Sequence, residues 1–108
     1  MNCIFCKIIE KKSPAEIVYE DDDTIVFHDI HPVAPIHLLF CPRKHYNTLL
    51  ETPPDVLPNL FRAIHKVAKQ LGVDENGFRL IINQGHDGGQ IIYHLHIHFL
   101  AGRRQRGL

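Results

Sequence analysis

The feature that most constrains this chain is the run Tyr93-His94-Leu95-His96-Ile97-His98-Phe99-Leu100, where three of the nine histidines alternate strictly with apolar residues. In extended backbone successive side chains point to opposite faces, so His94, His96 and His98 share one face and Leu95, Ile97 and Phe99 the other. The apolar face can build a core and the imidazole face a site. A merely wet sheet face would show the same alternation, but Thr, Lys or Glu would serve there equally and none occurs in the run. Three imidazoles on one face either hold a metal as neutral nitrogen donors or divide among them a nucleophile, an acid and a phosphate-binding cation.

Length and charge narrow the context. The 108 residues suit one domain, residues 1–108, with a single modest core. Twelve basic and twelve acidic residues balance to +0, so no overall field recruits nucleic acid or an anionic membrane, and any anion site is local. The N-terminus runs directly into Ile4, Phe5, Lys7, Ile8, Ile9 and Glu10 without a long apolar stretch, which gives the expectation of a cytoplasmic protein with no membrane partner. An odd cysteine count, three, argues against a disulfide framework. Cys3-Ile4-Phe5-Cys6 has the gap of half a zinc site or of a redox pair, and the βαβ context of a redox pair is missing, so no redox cofactor is expected. Cys41, inside an apolar run, reads as a small buried residue.

The chain reads in order as follows. Residues 4–12 carry Ile4, Phe5, Ile8 and Ile9 at helical spacing, stopped by Ser13-Pro14. Ile17–Glu20 and Thr24–His28 form a hairpin around the acidic turn Asp21-Asp22-Asp23. Pro32 and Pro35 stiffen the connection to Ile36–Pro42, an apolar run expected as a central strand, with His37 at its start. Arg43 to Tyr46, including His45, reads as a solvated turn. After Thr52-Pro53-Pro54, an apolar stripe through Val56, Leu57, Leu60, Phe61, Ile64, Val67, Ala68 and Leu71 marks a long helix, capped by Gly72. Strands over Phe78–Asn83 and Ile91–Ala101 flank a glycine-rich turn, Gln84–Gln90, and Arg103, Arg104 and Arg106 lie in a basic tail read as solvated. The expected fold class is α+β: an antiparallel sheet covered by one long helix and a short N-terminal helix. Asn83, the glycine turn and the histidine strand then gather at one end of the sheet, where donors, a nucleophile and an acid can surround one phosphate.

His94-Leu95-His96-Ile97-His98-Phe99-Leu100 resembles the signature of the histidine triad (HIT) superfamily. The resemblance extends from Ile4-Phe5 through Phe27-His28-Asp29-Ile30, Ala34-Pro35-Ile36-His37 and Asn83 to Asp87-Gly88-Gly89-Gln90 and Gly102. It is strongest to the Hint branch, dimeric purine nucleoside phosphoramidases, and implies a two-fold homodimer that releases AMP or GMP from phosphoramidates or acyl-adenylates. By this resemblance His96 attacks the α-phosphorus, and His98, an imidazole titrating near pH 7, binds the phosphate and protonates the leaving amine. His94, assisted by His37, orients the active face. Asn83 and the backbone of Gly89, Gln90 and Ile91 hold phosphate oxygens. Asp29 accepts from the ribose hydroxyls, and Ile4, Phe5, Ile8, Phe27, His28 and Ile30 form the base pocket, although for such apolar residues alone plain core is the simpler reading.

Two departures qualify the match. Ile91 stands where several Hint proteins carry serine, and the tail from Arg103 to Leu108 lacks the aromatic, proline-containing ending of some relatives. Cys3 and Cys6 are similar to a pair in other HIT branches that joins two histidines, which implies a closed, structural zinc site of Cys3, Cys6, His45 and His94. The competing functions are a dinucleoside polyphosphate hydrolase, disfavoured by histidine rather than glutamine at position 98, and a non-catalytic purine nucleotide-binding or partner-binding module. A metallohydrolase using all three triad histidines is disfavoured because His96 must stay free.

Overall fold

Alternation along the two central strands decides how the sheet is covered. The computed structural model describes residues 3–108. Its elements are α1 (Ile4–Ile9), β1 (Ile17–Glu20), β2 (Thr24–His28), β3 (Ile36–Pro42), a 3-10 turn (Pro54–Val56), α2 (Leu57–Gln70), β4 (Arg79–Ile81) and β5 (Ile97–Ala101). The five strands form one sheet in the order β1-β2-β3-β5-β4, and every pair is antiparallel. The α+β class with an antiparallel sheet and one long helix is as the residues predict, and β3 is central.

On one face, Val26, Leu38, Phe40, Ile97, Phe99 and Ala101 meet Leu60, Ala63, Ile64, Val67 and Ala68 of α2. On the other, Ile25, Phe27, Leu39 and Cys41 meet Phe5 and Ile8 of α1. Neighbouring residues of β2 and β3 thus serve opposite cores, the period-2 rule applied to a sheet covered on both sides. Leu95, Ile97 and Phe99 all belong to the α2 core, so His98 necessarily turns toward the α1 face. Burying Leu60, Ile64 and Val67 at ~1.5–3 kcal/mol each makes α2 the chief cover of the sheet.

Several elements end earlier than periodicity suggests. The N-terminal helix stops at Ile9, not residue 12, because Lys11 adopts a left-handed φ of 62° and Lys12 N–H returns to the Lys7 carbonyl. The long helix opens with a 3-10 turn, and Phe61 and Leu71, placed in its apolar stripe, are 41% and 39% exposed. β4 covers only Arg79–Ile81, so Asn83 lies beyond its end. The largest difference is at the last strand, which begins at Ile97 rather than Ile91. The outermost β5 partners are Phe40 on β3 and His98's partner Ile81 on β4. Before that point the chain does not pair with β3, although β3 runs on to Pro42, and Leu95 N–H donates instead to the Tyr46 carbonyl at 2.7 Å. His94 and His96 are therefore held by other means.

Candidate active site and metal centre

His94 is fully buried, and its ring is fixed at both nitrogens. Nε2–H donates to the Pro42 carbonyl at 2.9 Å; a carbonyl only accepts, so in the neutral ring Nδ1 carries the lone pair. That Nδ1 lies 3.5 Å from Cys3 Sγ and 3.6 Å from Cys6 Sγ. His45 Nδ1 lies 3.2 Å from Cys6 Sγ, and its Nε2–H donates to Asn47 Oδ1 at 2.8 Å. The four ligating atoms of Cys3, Cys6, His45 and His94 all fall within 4.8 Å of one another.

Tetrahedral zinc, with Zn–S near 2.3 Å and Zn–N near 2.0 Å, sets sulfur and nitrogen about 3.5 Å apart. The observed separations cluster around that edge, each histidine aims Nδ1 inward, and each has its other nitrogen held by an oxygen, the usual outer shell of a metal-binding imidazole. The donor set fits zinc. Burial pushes His94 down to about 4, which keeps it neutral, and burial with the adjacent Cys3 pushes the Cys6 thiol up to about 11. A bound cation reverses the cost at the thiol by stabilising the thiolate. His45, read from sequence as part of a solvated turn, is half-buried in this cluster.

His96 is the next ring along. Its Nδ1–H donates to the His94 carbonyl at 2.7 Å, which leaves the lone pair on Nε2. Phe5 meets it edge-on, ring centroids 5.1 Å apart at 87°. Burial lowers its pKa, so an unprotonated Nε2 is its ordinary state at neutral pH. The ring of His98 stands 5.0 Å away. Burial first, then the neighbouring His96 and His37, push His98 down to about 4 against the opposing pull of Asp29. In the free protein burial thus favours the neutral form of His98, with the neighbouring imidazoles adding to it, below the near-neutral titration that the resemblance implies.

His37 is buried and touches His98, not His94: the His37 Nε2 and His98 Nδ1 atoms are 2.9 Å apart. Asp29 Oδ2 lies 3.4 Å from the same His37 nitrogen, while Asp29 Oδ1 accepts from His31 N–H at 2.8 Å. Asp29, His37 and His98 are close enough to enclose an ion as well, but the shortest contact among them is the imidazole–imidazole hydrogen bond.

The remaining candidates separate. Phe5, Ile8 and Phe27 are buried in the α1-side core, whereas Ile4 and Ile30 are exposed and His28 is half-buried. Asn83 Nδ2–H donates to the Gly88 carbonyl at 2.7 Å and so braces the glycine turn. Gly89, at φ 82°, and Gln90 donate their amides inside that turn, to the His86 and Gly85 carbonyls. Those two amides are spent in this conformation rather than aimed at a ligand. The Gln90 side chain is buried and donates to the Asn47 and Ile92 carbonyls; Ile91 is 89% exposed. Sequence reasoning missed Asn47 and Val33, which hydrogen-bond His45 and His37, and Arg103, which donates to the Val33 carbonyl. Only Asn47, two residues after His45, leaves a trace in the residue pattern.

Comparison with known proteins agrees with this geometry. The family model described as "HIT domain" matches residues 10–105. Protein HitA of Neisseria gonorrhoeae is 46% identical over 103 residues, which covers 93% of this chain and 95% of that protein. A histidine triad protein from Clostridium difficile superposes with a TM-score of 0.97 at 46% identity, covering 100% of this chain and 96% of that one. A HIT family hydrolase from Legionella pneumophila gives 0.91 at 42% identity, covering 95% of each chain. A zinc-bound histidine triad family protein from Mycobacterium smegmatis also matches, at 30% identity and a TM-score of 0.87 over 95% of this chain and 76% of that one. The chain belongs to the HIT domain family.

Proposed function

We propose that the protein is a single HIT domain spanning residues 1–108, akin to the Hint-like purine nucleoside phosphoramidases. It hydrolyses purine nucleoside 5′-phosphoramidates or acyl-adenylates and releases AMP or GMP. The observation that carries this reading is the His96 ring, whose Nδ1–H is held by the His94 carbonyl at 2.7 Å while Nε2 keeps its lone pair. That is an imidazole prepared as a nucleophile. The likeness to a HIT family hydrolase supports the same reaction class.

In the first step His96 Nε2 attacks the α-phosphorus, the bond to the leaving nitrogen breaks, and that nitrogen takes the Nε2 proton of His98 in its protonated form. Burial, with the neighbouring His96 and His37, favours neutral His98 in the free protein, and the negative charge of a bound phosphate acts in the opposite direction. Water then attacks phosphorus, breaks the bond to His96 and returns a proton to His98 as the nucleotide leaves. Asp29 accepts from the ribose hydroxyls with the lone pairs not used by His31. Ile4 and Ile30, exposed beside the core residues Phe5, Ile8 and Phe27 and the half-buried His28, offer apolar surface to the base. Asn83, Gly89, Gln90 and Ile91 border the phosphate, with Ile91 contributing through its backbone amide.

A zinc ion held by Cys3, Cys6, His45 and His94 would supply a structural cross-link with no open coordination position. A homodimer is the proposed assembly, supported among the described residues by the unpaired edge of β4, where Leu80 is exposed with Phe78 just before the strand. Among the described residues no helix is long and apolar enough to cross a membrane, which suits the proposed cytoplasmic setting.

The test is incubation with adenosine 5′-phosphoramidate and measurement of AMP. Wild type should release AMP and His96→Ala should not. Nucleotide binding by wild type without AMP release would leave a binding module, and the enzyme reading would be wrong.

A further inference from the structure

The connection between β2 and β3 closes around the ring of His37. Val33 N–H donates to His37 Nδ1 at 3.1 Å. A backbone N–H only donates, so Nδ1 must offer its lone pair, and the neutral ring carries its proton on Nε2. That Nε2–H reaches two acceptors: His98 Nδ1 at 2.9 Å and Asp29 Oδ2 at 3.4 Å. The shorter contact has hydrogen-bond length and the longer does not compete with it. Since His98 Nδ1 accepts, neutral His98 keeps its proton on Nε2. The same loop is gripped from outside, because Arg103 Nη2 donates to the Val33 carbonyl at 2.8 Å. Pro35 packs against the backbone just before Arg103, 2.8 Å from where a side chain on Gly102 would begin.

We infer that in the free protein neutral His98 is set as an Nε2–H hydrogen-bond donor by a relay running from the Val33 backbone through His37, and that Arg103, in the basic tail, anchors this relay. His37 and Arg103 are positioning residues: neither touches substrate, and both act through His98. This rests on the reading of His98 as the group that faces the phosphate and leaving nitrogen. It assigns a task to a tail arginine that otherwise reads as solvated, and it explains why His37 is buried beside His98 although a lone histidine at a strand start is more often structural.

The tautomer can be read without substrate. In protein labelled with nitrogen-15, long-range proton–nitrogen correlation at pH 7 distinguishes Nε2–H from Nδ1–H at His98. Wild type should show the Nε2–H form. His37→Leu should give a mixture, and His37→Gln, whose side-chain amide keeps an N–H toward His98, should restore the wild-type form. An Nδ1–H form in wild type, or no change in His37→Leu, would overturn the relay. Arg103→Ala, a surface change that leaves the core intact, should shift the His37 and His98 resonances and lower kcat about 5-fold at unchanged KM, the effect of one modest hydrogen bond. Arg104→Ala should do neither. Unmoved resonances in Arg103→Ala would remove Arg103 from the relay. Failure of the phosphoramidase reading would look different, as an intact tautomer pattern with no AMP released.

Discussion

Replacing Cys6 with serine removes the sulfur that lies near both histidines of the cluster, 3.2 Å from His45 and 3.6 Å from His94. With metal bound, Cys6 and His45 close a loop across a sequence separation of 39 residues. Treating that link as a covalent crosslink, the chain entropy withheld from the unfolded state is about 4 kcal/mol. For a domain of about 100 residues this corresponds to a drop in Tm of about 15 °C. The prediction is that wild type purifies with one zinc per chain by elemental analysis, and that chelation lowers its Tm by roughly this amount. Cys6→Ser should melt near the chelated wild type and respond little to chelator, because the link is already lost. Equal Tm values for wild type, chelated wild type and Cys6→Ser would refute the reasoning, as would metal-free wild type with both Cys3 and Cys6 freely titratable.

Three further outcomes follow from the same structure. His98 sits at about 4 against an ordinary 6.5, so the folded state binds its proton less readily than the unfolded chain. Its stability contribution is whole above about pH 6.5 and is lost as pH falls toward 4, by on the order of 3 kcal/mol; urea denaturation should show this slope in wild type and a shallower one in His98→Asn. A Cβ on Gly88 would stand 2.4 Å from the Gln84 carbonyl oxygen and 2.8 Å from its nitrogen, both backbone. Gly88→Ala must therefore displace the turn that Asn83 braces, and AMP release should fall about 10- to 100-fold with little change in Tm. Leu60 is completely buried between α2 and the sheet, and Leu60→Ala should cost about 2–5 kcal/mol in denaturant unfolding.

How far the sequence discloses the molecule depends on which physical rule sets each feature. β1, β2 and β3 fall where the apolar runs and the Asp and Pro punctuation indicate, because burial on a sheet face is written in the residues themselves. The faces of the final segment are equally legible: Leu95, Ile97 and Phe99 enter the α2 core. Its length is not, since alternation reports which way side chains point and says nothing about whether a ladder forms with the neighbouring strand. The same limit applies to the site. That His96 and His98 share a face is legible; that His37 touches His98, or that burial and the neighbouring imidazoles lower the pKa of His98, depends on how the fold brings β3 and the terminal segment together. Phe5 shows the remaining ambiguity, because a buried aromatic of α1 is both core and the edge against which the His96 ring rests.

The early end of β5 and the metal cluster answer one another. A nucleophilic imidazole needs a fixed backbone beneath it, yet His96 lies one residue before the ladder starts. What holds this stretch is His94, whose ring is pinned between the two cysteine sulfurs and the Pro42 carbonyl, together with Leu95 N–H on the Tyr46 carbonyl. The His94 carbonyl, immobilised by these contacts, is the acceptor that fixes the His96 ring. The cluster thus does for residues 94–96 what a partner strand does for residues 97–101. It also divides the triad by atom: the His94 side chain serves the cluster while its main chain serves His96. Loss of metal should accordingly lower kcat through disorder of the His96 ring, while an exposed substitution such as Lys7→Ala on α1, away from these contacts, should not. A chelated protein that keeps full kcat would show that the Pro42 and Tyr46 contacts suffice without the sulfurs.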